Sequence, residues 1–201
     1  MRDFWIFNKK PLTVGAHLSP DWNDLPEISF KYADIDFVRR RTTDYVRHVL
    51  GLMPIKGSHS RILVDVKMHD MKRGNYPCLP GWHCDGYKDP RMSLDCAEVF
   101  HLYVAGHCRT EFITEPLRLS LPPGSCSREH HRHFANQMEG KDLSFAQVPD
   151  CTVVSYGRWD FHRGVAAQVD EKRLLVRVCE TDIIRPRNAP FSPTQVGRQR
   201  A

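Results

Sequence analysis

Arg173-Leu174-Leu175-Val176-Arg177-Val178-Cys179 alternates without a break. Successive side chains of a strand point to opposite faces, so Arg173, Leu175, Arg177 and Cys179 share one face while Leu174, Val176 and Val178 share the other. The second face is wholly apolar and is marked for a core. Two arginines on the first face are costly to bury unless something anionic meets them, either a neighbouring acid such as Asp170, Glu171 or Glu180 or a ligand. A solvent-facing surface is the other resolution.

The same texture extends outward from this run. From residue 61 onward, short runs of Val, Ile, Leu and Tyr are punctuated by Gly, Pro and Asp, which is the pattern of a mainly β domain with few helices. Strands are expected at 61–68, 81–85, 98–105, 110–114, 118–121, 152–156 and 174–180. Upstream, Val38, Tyr45, Val46, Val49 and Leu50 recur at helical spacing, predicting one amphipathic helix over 36–50 that buttresses the sheet. Asp34 or Asp36 caps its start, and Gly51 ends it in the left-handed conformation. Residues 122–147 carry Pro122-Pro123-Gly124 and Arg128-Glu129-His130-His131-Arg132-His133 and lack strand alternation. They are expected to form an insertion with a short helix, of the kind that serves as a lid or a partner surface.

With 201 residues the chain has one sizeable core, a single domain over 1–184 followed by a basic tail over 185–201. No run of about 18 apolar residues exists and the amino terminus lacks the apolar stretch of a secretory signal, so a soluble cytoplasmic protein with no membrane partner is expected. Seven cysteines, an odd number without a C-x-x-C pair, favour reduced thiols over a disulfide framework or a zinc knuckle. The net charge of +5 is concentrated in the tail, where Arg185, Arg187, Arg198 and Arg200 stand without an acid. The nearly neutral body gives extended nucleic-acid binding little support. The tail itself is expected to pack on its own core, on a second copy of the chain, or within an assembly.

Chemistry enters at Pro80-Gly81-Trp82-His83-Cys84-Asp85-Gly86. On a strand His83 and Asp85 point together and Cys84 points away into a core, so H-x-D is a two-ligand claw, with Gly81 and Gly86 permitting turns and Trp82 shielding one side. Such a tripeptide arises readily by chance. Its weight comes from His162, which follows 77 residues after Asp85, and from Arg173 and Arg177, which stand 11 and 15 residues past His162. Two imidazoles and a carboxylate occupy one face of an Fe(II) octahedron and leave positions for a co-substrate and O2. An anionic co-substrate then finds its cation in an arginine.

This order and spacing resembles the Fe(II)/2-oxoglutarate-dependent dioxygenases, over residues 61–180. The resemblance implies a double-stranded β-helix core, the jelly-roll or cupin-like architecture. It also implies His83, Asp85 and His162 as iron ligands and Arg173 or Arg177 pairing the distal carboxylate of 2-oxoglutarate. The implied reaction consumes O2 and 2-oxoglutarate and releases succinate and CO2 while a substrate is hydroxylated. Tyr103, with His101 on the same face of its strand, is a candidate for hydrogen bonds to the co-substrate, and core packing is the alternative for both. The substrate, a small molecule or a macromolecule, is not named by the flanking sequence. Trp82, Tyr87, Trp159 and Phe161 suit stacking on a nucleobase, although aromatics beside a β core are commonly packing.

Two other functions fit the same residues. One is a jelly-roll binding or structural module within an assembly, and the other is a cupin-type metal enzyme that does not use 2-oxoglutarate. His69-Asp70 matches the HD dipeptide of metal phosphohydrolases, but it ends a β-rich run, the wrong backbone for that all-helical fold. His131 and His133 lie in a charged segment that favours exposure over ligation. No G-x-S-x-G elbow, P-loop or G-x-G-x-x-G is present to carry a hydrolase or nucleotide-cofactor reading.

Overall fold

The computed structural model describes residues 2–15, 17–78, 80–85, 98–121 and 127–193. In chain order the elements are β1 (Arg2–Phe7), β2 (Leu12–Val14), β3 (Ser29–Asp34), α1 (Ile35–Arg39), α2 (Asp44–Leu52), β4 (Arg61–Met71), β5 (Val99–Ala105) and β6 (Thr110–Ile113). They continue with β7 (Pro116–Leu121), α3 (Ser127–Met138), β8 (Phe145–Gln147), β9 (Val153–Gly157), β10 (His162–Gly164), β11 (Glu171–Thr181) and β12 (Pro190–Phe191). The protein is mainly β with few helices, and its paired strands are antiparallel.

The alternating arginine run lies at the centre. β11 pairs along its whole length with β4, from Glu171↔Met71 to Thr181↔Arg61, and on its other edge with β5. These three strands anchor a large sheet of order β12-β3-β4-β11-β5-β9-β2. A smaller sheet has the order β10-β6-β8, and β1 and β7 form a separate ribbon.

Parity along the central strands sorts side chains between two cores. Val64 and Val66 of β4, Tyr103 and Ala105 of β5, and Leu174, Val176 and Val178 of β11 pack on one face against Val38 of α1 and Val46, Val49 and Leu50 of α2. Each such side chain contributes about 1.5–3 kcal/mol when fully buried, and Leu174→Ala here costs about 2–5 kcal/mol through lost transfer energy and the cavity left behind. The opposite face presents Phe100, Leu102 and Val104 of β5, Tyr156 of β9 and Cys179 of β11 to Phe112 of β6. The space between the two sheets is therefore lined by the arginine-bearing face.

The helical expectation over 36–50 resolves into two helices. Asp34 caps α1, its carboxylate accepting from the Asp36 and Phe37 N–H groups, and Thr43 caps α2 by accepting from Val46 N–H. Each cap satisfies backbone donors that a helix start leaves orphaned, and the second cap restarts the chain after Arg40–Thr42. Gly51 does not end the helix: it lies within α2, which stops at Leu52 because Met53 precedes Pro54 and takes an extended conformation.

One further expectation is corrected and two are narrowed. Residues 81–85 contribute a single bridge, His83↔His162, in place of a strand. The described part of the 122–147 segment, 127–147, is only partly peripheral, since α3 sends Phe134 and Met138 into the core beside Leu117 and Leu119 of β7. The described part of the tail lies on the chain's own sheet edge, where β12 pairs with β3 and Arg187 N–H donates to Tyr32 O at 2.8 Å. Tyr87 and Gly86 lie outside the described residues. No helix among the described residues is long and apolar enough to cross a membrane.

Candidate metal centre

His83 and His162 are fastened to each other by main chain. His83 N–H donates to His162 O at 2.9 Å and His162 N–H to His83 O at 2.7 Å, an antiparallel pair that sets the two side chains next to one another. Their ring centroids are 4.6 Å apart. Asp85, two residues beyond His83, brings Oδ2 to 3.6 Å from His162 Nε2. Both Asp85 and His162 are buried. The three side chains that the sequence separates by up to 79 positions are thus neighbours.

Each histidine has its ring oriented by a carbonyl two residues earlier. His83 Nδ1 lies 3.1 Å from Gly81 O and His162 Nδ1 lies 3.0 Å from Asp160 O. A carbonyl only accepts, so in the neutral rings Nδ1 carries the hydrogen and Nε2 carries the lone pair. Gly81 has a φ of 95°, which lets its carbonyl face back onto the ring it orients. Two Nε2 lone pairs and a carboxylate are the donor set that suits Fe(II). Among the described residues no three His, Cys, Asp or Glu side chains stand at metal-holding geometry, and Asp85 is engaged elsewhere.

That engagement is with Arg177. Arg177 Nη1 donates to Asp85 Oδ2 at 2.8 Å, its Nη2 donates to Asp65 Oδ2 at 2.6 Å, and Tyr156 O–H donates to Asp85 Oδ2 at 3.2 Å. Burial pushes the Asp65 carboxyl up, but Arg177, Lys67 and the Tyr32 N–H together hold it below its ordinary 3.8. Burial would likewise discharge Arg177, and the two carboxylates keep it charged. Tyr156, raised well above 10 by burial and by Asp85, stays a neutral donor.

Arg173 occupies a different position on the same face. Opposite it on β4 stands His69, as Asp65 stands opposite Arg177. Arg173 is 2% exposed, its Nε donates to Cys108 O at 2.6 Å, and among the described residues it forms no ion pair. Burial lowers its pKa from the ordinary 12.5.

Tyr103 is not brought to this centre. It lies on the helix-covered face of β5, where its hydroxyl donates to Leu18 O at 2.8 Å and shares a short hydrogen bond with Tyr45 O–H. Burial and Tyr45 raise its pKa far above the ordinary value. His101, on the same face, is buried between Ser155 Oγ at 2.8 Å and Glu180 Oε1 at 3.2 Å. Cys84 points away from Asp85, into the apolar cluster with Trp82, Phe134 and Phe161. Sequence reasoning passed over Asp65 and Tyr156, and met His69 only as half of an HD dipeptide. The signal for Asp65 was an acid inside the apolar run Ile62-Leu63-Val64-Asp65-Val66, which needs a buried cation.

No family model matches the chain, and neither a curated protein nor a solved structure matches it.

Proposed function

We propose that the chain is an Fe(II)- and 2-oxoglutarate-dependent oxygenase on a double-stranded β-helix. The order in which the chain visits its sheets supports the architecture. β4 lies in the large sheet, the His83 bridge joins β10 of the small one, β5 returns to the large, β6 and β8 belong to the small, and β9, β10 and β11 alternate again. Such crossing between two facing antiparallel sheets is how a jelly-roll winds.

The observation that carries the function is the convergence of His83, Asp85 and His162, with both imidazoles oriented through Nδ1. These side chains would hold the metal through two Nε2 atoms and a carboxylate oxygen. Fe(II) bound there with 2-oxoglutarate supplies the oxidising chemistry, yielding succinate and CO2. The protein's part is positional. Arg177 pairs with Asp85 and directs it into the space between the sheets, and Tyr156 donates to the same carboxylate oxygen. Arg173 is the better clamp for the co-substrate's distal carboxylate, because Arg177 already serves two acids. Phe100, Phe112 and Tyr156 exclude water from this space.

The test is succinate release and O2 uptake after anaerobic Fe(II) loading of the full chain. Turnover that needs both Fe(II) and 2-oxoglutarate is expected, even uncoupled from a substrate. Absence of Fe(II) binding would instead favour a jelly-roll binding module in which Arg177–Asp85 is a plain structural ion pair, the reading that the 2.8 Å contact favours.

A further inference from the structure

His69 is the one residue of the H-D dipeptide that the fold buries deeply, at 3% exposure, and neither of its ring nitrogens has a hydrogen-bond partner among the described residues. An orphaned buried polar group is a cost that native structures rarely carry without a use. Its cross-strand partner is Arg173, on the same inward face, and among the described residues Arg173 forms no ion pair: its Nε donates to the Cys108 carbonyl, and Glu171, two residues away on β11, acts on it only from beyond ion-pair distance. No described acid pairs directly with Arg173, although Glu171 favours its charge from a distance and keeps a buried Oε1 without a hydrogen-bond partner among the described residues. The Cys108 thiol is pushed up to about 11 by burial and donates to Val165 O at 2.9 Å, while Glu171 Oε2 accepts from the His107 N–H at 2.6 Å.

We propose that His69 and Arg173 together form a buried carboxylate-binding subsite, His69 donating a ring N–H to the carboxylate that Arg173 pairs with. A planar acceptor matches a guanidinium fork and an adjacent imidazole donor. His69 is suited to the role because burial first, and then the charges of Arg173 and Lys67, lower its pKa to about 4, leaving a neutral ring with one N–H. Four strand residues, about 13 Å, separate Arg173 from Arg177 beside the metal centre. Arg177 is already paired with Asp65 and Asp85, so a ligand anchored by one carboxylate at Arg173 and extending toward the metal centre would present its second acid group to the centre, as a short dicarboxylate does. Its identification as 2-oxoglutarate rests on the oxygenase reading; the subsite itself does not.

The experiment titrates glutarate, which lacks the metal-chelating 2-oxo group, and 2-oxoglutarate into the full-length chain, with and without redox-inert Mn(II). Binding is followed calorimetrically and by the His69 imidazole signals in nitrogen–proton correlation spectra. Expected are a ligand-dependent shift of the His69 ring signals and affinity lowered about 10- to 100-fold in His69→Leu, the range for a hydrogen bond to a charged group. His69→Gln, which keeps a donor, recovers part of that loss. The His69→Leu variant melts no lower than the parent, which a purely structural histidine would not allow. Unchanged affinity in His69→Leu, silent His69 ring signals, or no binding of either acid by the parent overturns the proposal. Dicarboxylate binding that depends on His69 without Fe(II)-dependent succinate formation upholds the subsite and sinks the oxygenase reading alone.

Discussion

Arg177 Nη1 sits 2.8 Å from Asp85 Oδ2, so the carboxylate of the candidate metal centre has a guanidinium as its neighbour. The other arm of that guanidinium binds Asp65. Removing the cation leaves two carboxylates in a space that the fold keeps nearly dry. Arg177→Leu is therefore expected to lose about 3–5 kcal/mol in denaturant unfolding, the cost of stranding a buried charge. Adding Asp65→Asn to Arg177→Leu should recover part of the loss; a double variant no more stable than the single would contradict the shared-cation arrangement.

His83→Ala and His162→Ala should each weaken Mn(II) or Co(II) binding by more than about 100-fold, beyond the loss typical of residues that merely orient a ligand. Calorimetry measures the binding, and circular dichroism shows the fold kept. Equal affinity in parent and both variants would mean that the imidazoles are not ligands.

The acid sensitivity of the fold has a component that His69 sets. Its pKa in the folded chain is about 4 against an ordinary 6.5, so the unfolded chain takes up the proton first. Stability from this group is intact above pH 6.5, declines as pH falls toward about 4, and is flat below. Arg173 faces it across the strand pair and Lys67 flanks it on β4, and both push in the same direction. His101, lowered chiefly by burial, contributes a similar slope, so the readout is the difference between parent and His69→Leu measured from pH 4 to 7. A difference independent of pH over that window would exclude a neutral buried His69. The depressed Asp65 and Glu180 carboxyls act at lower pH, where their stabilisation is lost as they protonate.

Tyr103→Phe separates packing from binding. The hydroxyl bonds to Leu18 O and Tyr45 behind the large sheet, so its loss should cost about 1–2 kcal/mol of stability and leave metal and dicarboxylate affinities unchanged. A weakened 2-oxoglutarate affinity with unaltered stability would return Tyr103 to the site.

What the sequence made legible follows the range of the interactions involved. β11 was readable because its alternation is local, and Thr181 and Glu171 merely lengthen it. β4 runs three residues past the expected end at Met68, because the polar pair His69 and Asp70 interrupts the apolar run and belongs to the strand only through its pairing with β11. β2, β8, β10 and β12 are two or three residues long and exist only through partners far along the chain. Period two put His101 and Tyr103 on one face of β5 but says nothing about which face looks inward. The packing of α2 on that face decides it, through Tyr45 against Tyr103. The H-x-D and distal His were visible as residue types, whereas the Arg177 link to Asp65 and Asp85 needs the strand register.

The His83↔His162 bridge has a consequence for how the centre can change. Both of its hydrogen bonds belong to backbone, so the positions are defined by peptide groups that every amino acid but proline possesses. Side chains there are exchangeable cargo on a fixed mount. Replacing either imidazole with a thiolate or carboxylate would alter which cation the centre prefers without moving the mount, which makes this pair of positions a natural place to retune metal selectivity by design.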